Sequence, residues 1–290
     1  MDRSYIENNL VAGVYTNNDK YFKKFTDNWK ENYQNVELIY NIKEGKINEN
    51  MERLRHKFIA SGKRYWLFMD EDILFPNNEV IEIALEHMIE NKLDLITTYQ
   101  TTDLELAKKV TTKNLTFEYI TWSAGYFMLV DSEKAGLIPF DLGLPTTHGN
   151  LSDLAYCLDL IDKTDALIGI APTIIYHADC GYSPKVTTPF KITDENTPEV
   201  NRSVKKFLKT LDNSQYYGNR EIEIVFLGDG KIDKNETIGG HYLKCKHPNI
   251  YKEIVARLHY NTLHTKKSDS FTFTKHKTFL DISKQDEDLK

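Results

Sequence analysis

Cysteine is scarce: the 290-residue chain has Cys157, Cys180 and Cys245, neither an even set nor a C-x-x-C pair. That excludes a disulfide scaffold and a zinc knuckle, and it fits a reducing compartment. No apolar run approaches the roughly 18 residues of a membrane-spanning helix. The N-terminus M-D-R-S-Y-I-E-N-N lacks the charged start and apolar stretch of a leader. A soluble, unexported, cytoplasmic protein is therefore expected. Internal repeats and low-complexity segments are missing too. There is no overall excess of positive charge either, with a net charge of −6, but the balance conceals an asymmetry. Lys231 to Lys277 holds ten Lys and Arg against four Asp and Glu, leaving about −12 on the rest. Such a split marks either a second surface that meets an anionic partner or an ordinary solvated face.

What is present is enough apolar (40%) and aromatic (12%) material for a sizeable core, arranged in alternation. L-V-A-G-V-Y (Leu10 to Tyr15) is a short apolar run opening into Thr16-Asn17-Asn18, as a strand does before a loop. Tyr21, Phe22, Phe25 and Trp29 recur at helical spacing from Asp19 to Tyr33, and Val36 to Tyr40 is a second strand. Met51, Leu54 and Phe58 mark a helix that Gly62 stops, before a strand from Tyr65 to Met69. Asn77 and Asn78 suit the cap of a helix carrying Val80, Ile83, Leu85, Met88 and Ile89, and Leu93 to Thr98 returns as a strand. Ile120 to Val130 reads as strand with Gly125 in its middle, a sign of a bulge or of close approach to a ligand. A helix follows around Ser152 to Ile161, then a strand from Leu167 to Ile175 ending in Tyr176-His177.

This order predicts an α/β layer with a mixed, largely parallel sheet flanked by helices, whose ligands collect at the carboxyl ends of the strands. Three polar clusters fall there: Thr16-Asn17-Asn18, Asp70-Glu71-Asp72, and the loop after Thr98. Beyond Pro198 the texture changes to a Lys-rich helix, a polar linker from Asp212 to Arg220, E-I-E-I-V-F-L, and an Asp-Gly hairpin signal within F-L-G-D-G-K-I. The expected division is a main domain over residues 1–211 and a small basic α+β extension over 221–290.

The segment Y-W-L-F-M-D-E-D (Tyr65 to Asp72) joins a buried strand to three consecutive acids. If the chain stays extended past Met69, Asp70 and Asp72 point to one side and Glu71 to the other. Two close carboxylates raise each other's pKa unless a cation sits between them. A hard divalent ion, Mg2+ or Mn2+, accepts carboxylate oxygens and keeps positions open for phosphate oxygens. The cluster reads as half of a metal-diphosphate site.

R-Y-W-L-F-M-D-E-D-I-L-F-P resembles the metal-binding segment of GT-A-fold glycosyltransferases, especially family 2 and its phage and archaeal relatives. Three later blocks match in order: Ser123 to Val130 followed by I-P-F-D, S-D-L-A-Y-C-L-D-L (Ser152 to Leu160), and I-A-P-T-I-I-Y-H (Ile170 to His177). The resemblance covers residues 8–182 and implies a metal-dependent enzyme moving a sugar from a nucleotide-sugar donor, with a UDP-sugar favoured over a GDP-sugar, to an acceptor hydroxyl with inversion. By that resemblance Asp72 binds the metal, Asp70 contacts the ribose or the metal's water, and His177 is a further metal ligand or diphosphate contact. Thr16, Asn17 and Glu71 line the donor pocket with either Arg53 or Arg55. Asp153 is the general base, although Ser152 replaces the usual Glu and Asp159 a common Arg. Trp122 and Gly125 lie toward the acceptor, a glycan or glycoconjugate.

Three other readings compete. A phage-type transferase acting on hydroxylated DNA bases would use the basic tract, where Tyr242, Tyr251, His259, Tyr260, Phe271 and Phe273 interleave with cations. A haloacid-dehalogenase-like phosphatase would use Thr97-Thr98 and Gly228 to Asp233, but Ile73-Leu74-Phe75-Pro76 does not suit it. A binding module without turnover leaves the acids unexplained. The first strand lacks the glycine-rich basic loop of sugar nucleotidyltransferases.

Overall fold

The computed structural model describes residues 1–16, 19–42, 47–144, 152–178, 238–251, 262–265 and 271–274. The chain begins with α1 (Arg3–Asn9), β1 (Leu10–Thr16), α2 (Asp19–Tyr33), β2 (Glu37–Ile42), α3 (Ile47–Ser61) and β3 (Tyr65–Asp70). It continues through β4 (Ile73–Leu74), α4 (Val80–Glu90), β5 (Leu95–Thr101), α5 (Leu104–Lys109), β6 (Glu118–Ile120), β7 (Phe127–Asp131) and α6 (Ser132–Ala135). Then come α7 (Ser152–Thr164), β8 (Ile168–His177), α8 (Ile238–Lys246), β9 (Thr262–Thr265) and β10 (Phe271–Thr274).

One sheet organises these elements, in the order β10-β9-β5-β7-β3-β1-β2, with β8 on the other edge of β5 and pairing also with β4 and β6. Strands β1, β2, β3, β5, β8 and β9 run one way, and β4, β6, β7 and β10 the other. The sheet is thus mixed, with helices on both faces, the class the sequence predicts.

Burial on both faces explains the apolar runs. Along β3, Trp66 and Phe68 join the core beneath α3 and α7, while Tyr65, Leu67 and Met69 join the core beneath α2 and α4. Such two-sided burial is what an unbroken apolar strand requires. Strand β1 divides likewise, with Val11 and Tyr15 on the α3/α7 face and Leu10, Ala12 and Val14 on the other. Gly13 marks the closest approach of α3, because a Cβ there would lie 2.4 Å from Phe58 Cζ and 2.9 Å from Leu54 Cδ2. The helix stop at Gly62 carries a positive φ of 67°, the left-handed conformation glycine adopts without strain.

The structure corrects several local expectations. Gly125 does not sit inside a strand: β6 ends at Ile120, β7 begins at Phe127, and the residues between form a turn. The stretch after Thr98 is not yet loop, because β5 runs on to Thr101. The chain turns at Glu71 and Asp72 instead of staying extended. At α4 the cap position is Glu79, and Asn77, two residues earlier, accepts the Glu79 N–H at 2.9 Å.

The described C-terminal pieces build onto this framework. Thr262 of β9 pairs with Gln100 of β5, and Tyr242, Leu243 and Tyr251 are buried in the α3/α7 core. Lys246 bridges Asp141 at 2.6 Å and Asp159 at 2.8 Å, and His247 stands 3.0 Å from Asp162. Tyr242 and Tyr251 are therefore interior groups and Lys246 is half-buried and paired with two carboxylates, a correction to their place in a nucleic-acid-binding surface. The Lys-rich helix, the polar linker with the proposed boundary, the Asp-Gly hairpin and His259 and Tyr260 lie outside the described residues.

Candidate metal and catalytic site

The site forms where β1, β3, β5 and β8 end on one edge of the sheet. Because Asp70 follows Phe68 by two residues, it emerges on the α3/α7 face, in register with Tyr15 of the parallel neighbour β1. The Tyr15 hydroxyl donates to Asp70 Oδ1, and the Thr16 hydroxyl one step on donates to Glu71 Oε2. The turn after Asp70 then swings Asp72 back toward it. Short strand β4 ties this turn to β8 through the Ile73–His177 pair, and the Ala178 N–H donates to the Asp72 carbonyl at 2.9 Å.

As a result Asp70, Asp72 and His177 each offer a ligand atom within 4.8 Å of the others. His177 Nε2 lies 3.3 Å from Asp72 Oδ1, its Nδ1 lies 2.6 Å from Gln100 Oε1, and the Tyr126 ring packs 5.2 Å from the imidazole. Two carboxylates and one imidazole suit a divalent ion such as Mn2+, which accepts both oxygen and nitrogen donors. The residues present fit the cation the sequence implies.

Asp153 opens α7 beside this cluster. Its Oδ2 accepts the Gly125 N–H at 2.9 Å and its Oδ1 the Leu154 N–H at 2.8 Å. Burial pushes its pKa up to about 7, the two backbone N–H groups oppose that shift, and the Asp70 charge adds to it. Tyr15 senses the same field. Burial raises its pKa well above the usual phenol range, and the charges of Asp70, Asp72 and Asp153 raise it further. It stays protonated and donates to Asp70.

Thr16 and Glu71 come together beside Asp70, whereas Asn17 lies outside the described residues. The two candidate arginines separate. Arg55 is buried, forked onto Glu52 at 2.7 and 2.8 Å and donating to the Gly136 carbonyl at 2.7 Å. Arg53 bonds Asn50, which receives the side chain of Asn41, the β2 residue in register with Tyr15. Trp122 is 5% exposed and packs in the α3/α7 core. Gly125 faces Asp153: a Cβ there would stand 3.9 Å from Asp153 Oδ2.

Sequence reasoning missed Tyr15, Gln100 and Tyr126. A signal existed for Gln100 in the polar run T-T-Y-Q-T-T ending a buried strand; Tyr15 and Tyr126 read as ordinary core.

No protein-family model matches the chain, and no curated protein sequence does. Among solved structures, A197 from STIV is 10% identical with a TM-score of 0.43, covering 58% of this chain and 85% of that one. Glucosyl-3-phosphoglycerate synthase from Mycobacterium tuberculosis, in complex with phosphoglyceric acid, is 10% identical with a TM-score of 0.43, covering 62% and 77%. The mannosyltransferase PcManGT from Pyrobaculum calidifontis, in complex with GDP-Man and Mn2+, is 14% identical with a TM-score of 0.40, covering 86% and 74%.

Proposed function

We propose that this protein is a divalent-metal-dependent glycosyltransferase, taking a sugar from a nucleotide-sugar donor, UDP-linked in preference to GDP-linked, and inverting it onto an acceptor hydroxyl of a glycan or glycoconjugate. The observation that carries the reading is the convergence of Asp70, Asp72 and His177 beside a separate, raised-pKa carboxylate, Asp153. A cation held by the first three would supply Lewis-acid neutralisation of the charge on the departing diphosphate. Tyr15 fixes Asp70 for that task, and Thr16 with Glu71 and Arg53 line the side on which the nucleotide enters. Asp153 takes the acceptor hydroxyl's proton onto a carboxylate oxygen as the hydroxyl attacks, and the Gly125 N–H keeps that carboxylate oriented. A single displacement inverts the anomeric centre. Two acids with separate environments suit two separate roles, one group binding the cation and the other moving the proton.

The test is to incubate the intact protein with Mn2+ and UDP-, GDP- or CMP-sugars and follow release of the nucleotide, UDP, GDP or CMP respectively. Release with one donor, abolished by EDTA and by Asp72→Asn, is expected. Cleavage of simple phosphomonoesters without donor turnover would overturn the reading in favour of a phosphatase, and silence with every donor in favour of a binding module. No helix among the described residues is long and apolar enough to cross a membrane.

A further inference from the structure

The group behind His177 has no part in the chemistry above, yet it stands 2.6 Å from the ring nitrogen that faces away from Asp72. We propose that Gln100 is the positioning residue of the metal centre, its amide oxygen accepting the His177 Nδ1–H so that the Nε2 lone pair is directed at Asp70 and Asp72. The inference rests on the metal-site reading and adds to it the group that sets the imidazole's tautomer and orientation.

An imidazole nitrogen ligates a cation only through its lone pair, so the ring proton must reside on the other nitrogen. An acceptor at Nδ1 places it there. Gln100 and His177 are 4% and 8% exposed, so water competes little for this bond. The Tyr126 ring, tilted 38° against the imidazole, limits its rotation, and the Tyr126 hydroxyl is itself held by the Thr98 carbonyl.

The register follows from one irregularity in β8. Thr98 pairs with Ala171 but Tyr99 with Ile174, so Pro172 and Thr173 are taken up in a bulge. Proline has no N–H to give a ladder, and a bulge is where a strand tolerates it. Beyond the bulge Gln100 lies opposite Ile175, two residues before His177 and on the same face. The neutrality of the amide also matters. Asp70, Asp72 and Asp153 already place three carboxylates in one field, and a fourth anion behind the histidine would add to their repulsion in the cation-free protein.

Mn2+ titration of the full chain by electron paramagnetic resonance, without donor, tests the proposal. Gln100→Leu should weaken Mn2+ binding by about 10- to 100-fold, and Gln100→Glu, which still accepts the Nδ1–H, should restore most of the affinity. In 15N–1H spectra of the cation-free protein at a pH where the ring is neutral, the wild-type proton should sit on Nδ1 and move to Nε2 in Gln100→Leu. Asp72→Asn serves as the control. Unchanged Mn2+ affinity in Gln100→Leu beside a loss in Asp72→Asn would remove the role of Gln100 and leave the metal site standing. Unchanged affinity in both would remove the metal site itself. A wild-type proton on Nε2 would overturn the tautomer assignment, and this readout needs no variant to fold.

Discussion

Asp153 meets two opposing demands with one carboxylate: it must be poor enough in solvation to want a proton and well enough held to keep its aim. Burial raises its pKa to about 7, while the N–H groups of Leu154 and Gly125 resist. Only the ionised form accepts a proton, so turnover should fall as pH drops through the pKa of this group. Titration of the Asp153 carboxyl carbon by NMR should show a pKa near 7 without cation and a lower one with Mg2+, because the cation offsets the Asp70 charge. A raised folded-state value also means that the neutral form favours folding below about pH 4 and that this contribution fades as pH rises through about 7. Asp153→Asn should cut kcat by about 100-fold or more while leaving donor-induced thermal stabilisation intact. Normal turnover in that variant would place the base elsewhere. Gly125→Ala is a finer probe. Its methyl group would stand 3.8 Å from Asp153 Cβ and 3.9 Å from Oδ2, ordinary contact distances that the fold accommodates. The methyl sits beside the carboxylate that the acceptor must reach, so kcat/KM for acceptor should drop by about 10-fold with Mn2+ affinity unchanged.

At the scale of elements, the most consequential packing joins α8 to α7. Burial disfavours charge on both partners, yet the His247 hydrogen bond and the Lys246 and Lys163 ammonium groups hold the Asp159 carboxyl well below its usual range. Asp141 and Asp159 in turn raise Lys246 against its own burial. An aspartate sits where the family resembled in sequence commonly has arginine, and here it anchors a helix from far along the chain. Lys246→Met keeps the apolar stem but leaves Asp141 without its ammonium partner and Asp159 with only Lys163 and His247, so unfolding free energy should fall by about 3 kcal/mol, measured by denaturant titration. Hydrogen exchange should speed up first across residues 238–251. A loss below about 0.5 kcal/mol would show that the pairing is as weak as an exposed one.

For the molecule as a whole, folding brings Asp70, Asp72 and His177 together at one edge of the sheet, and by the proposed function a cation bound only by the folded chain would relieve the repulsion between the two carboxylates. Mn2+ should therefore raise Tm, with a gain in unfolding free energy of about 2.7 kcal/mol at 100 times Kd. EDTA should reverse the gain, Asp72→Asn should abolish it, and the correct nucleotide sugar should add to it. A Tm indifferent to Mn2+ would mean that hydrogen bonds such as Tyr15 to Asp70 already satisfy the acids.

Periodicity alone determined much of this protein. The boundaries of α2 at Asp19 and Tyr33, the stop at Gly62 and the apolar strand ending in acids all follow from interactions between residues close along the chain. Strand alternation likewise dictates that Asp70 shares a face with Phe68. Other features were legible only in three dimensions, because they depend on which distant segments pack together. Arg53 and Arg55 are interchangeable in spacing, and only the position of Glu52 and the Gly136 carbonyl draws Arg55 into the interior. The strand-like composition around Gly125 gives way to a turn, with the Gly125 N–H bonded to an acid 28 positions away. Gln100 finds His177 across 77 residues through a bulge at Pro172 and Thr173. Local sequence governs dihedral preference and the burial of a face, but the partner of a side chain is chosen by the register between strands that meet only after the chain has crossed the sheet.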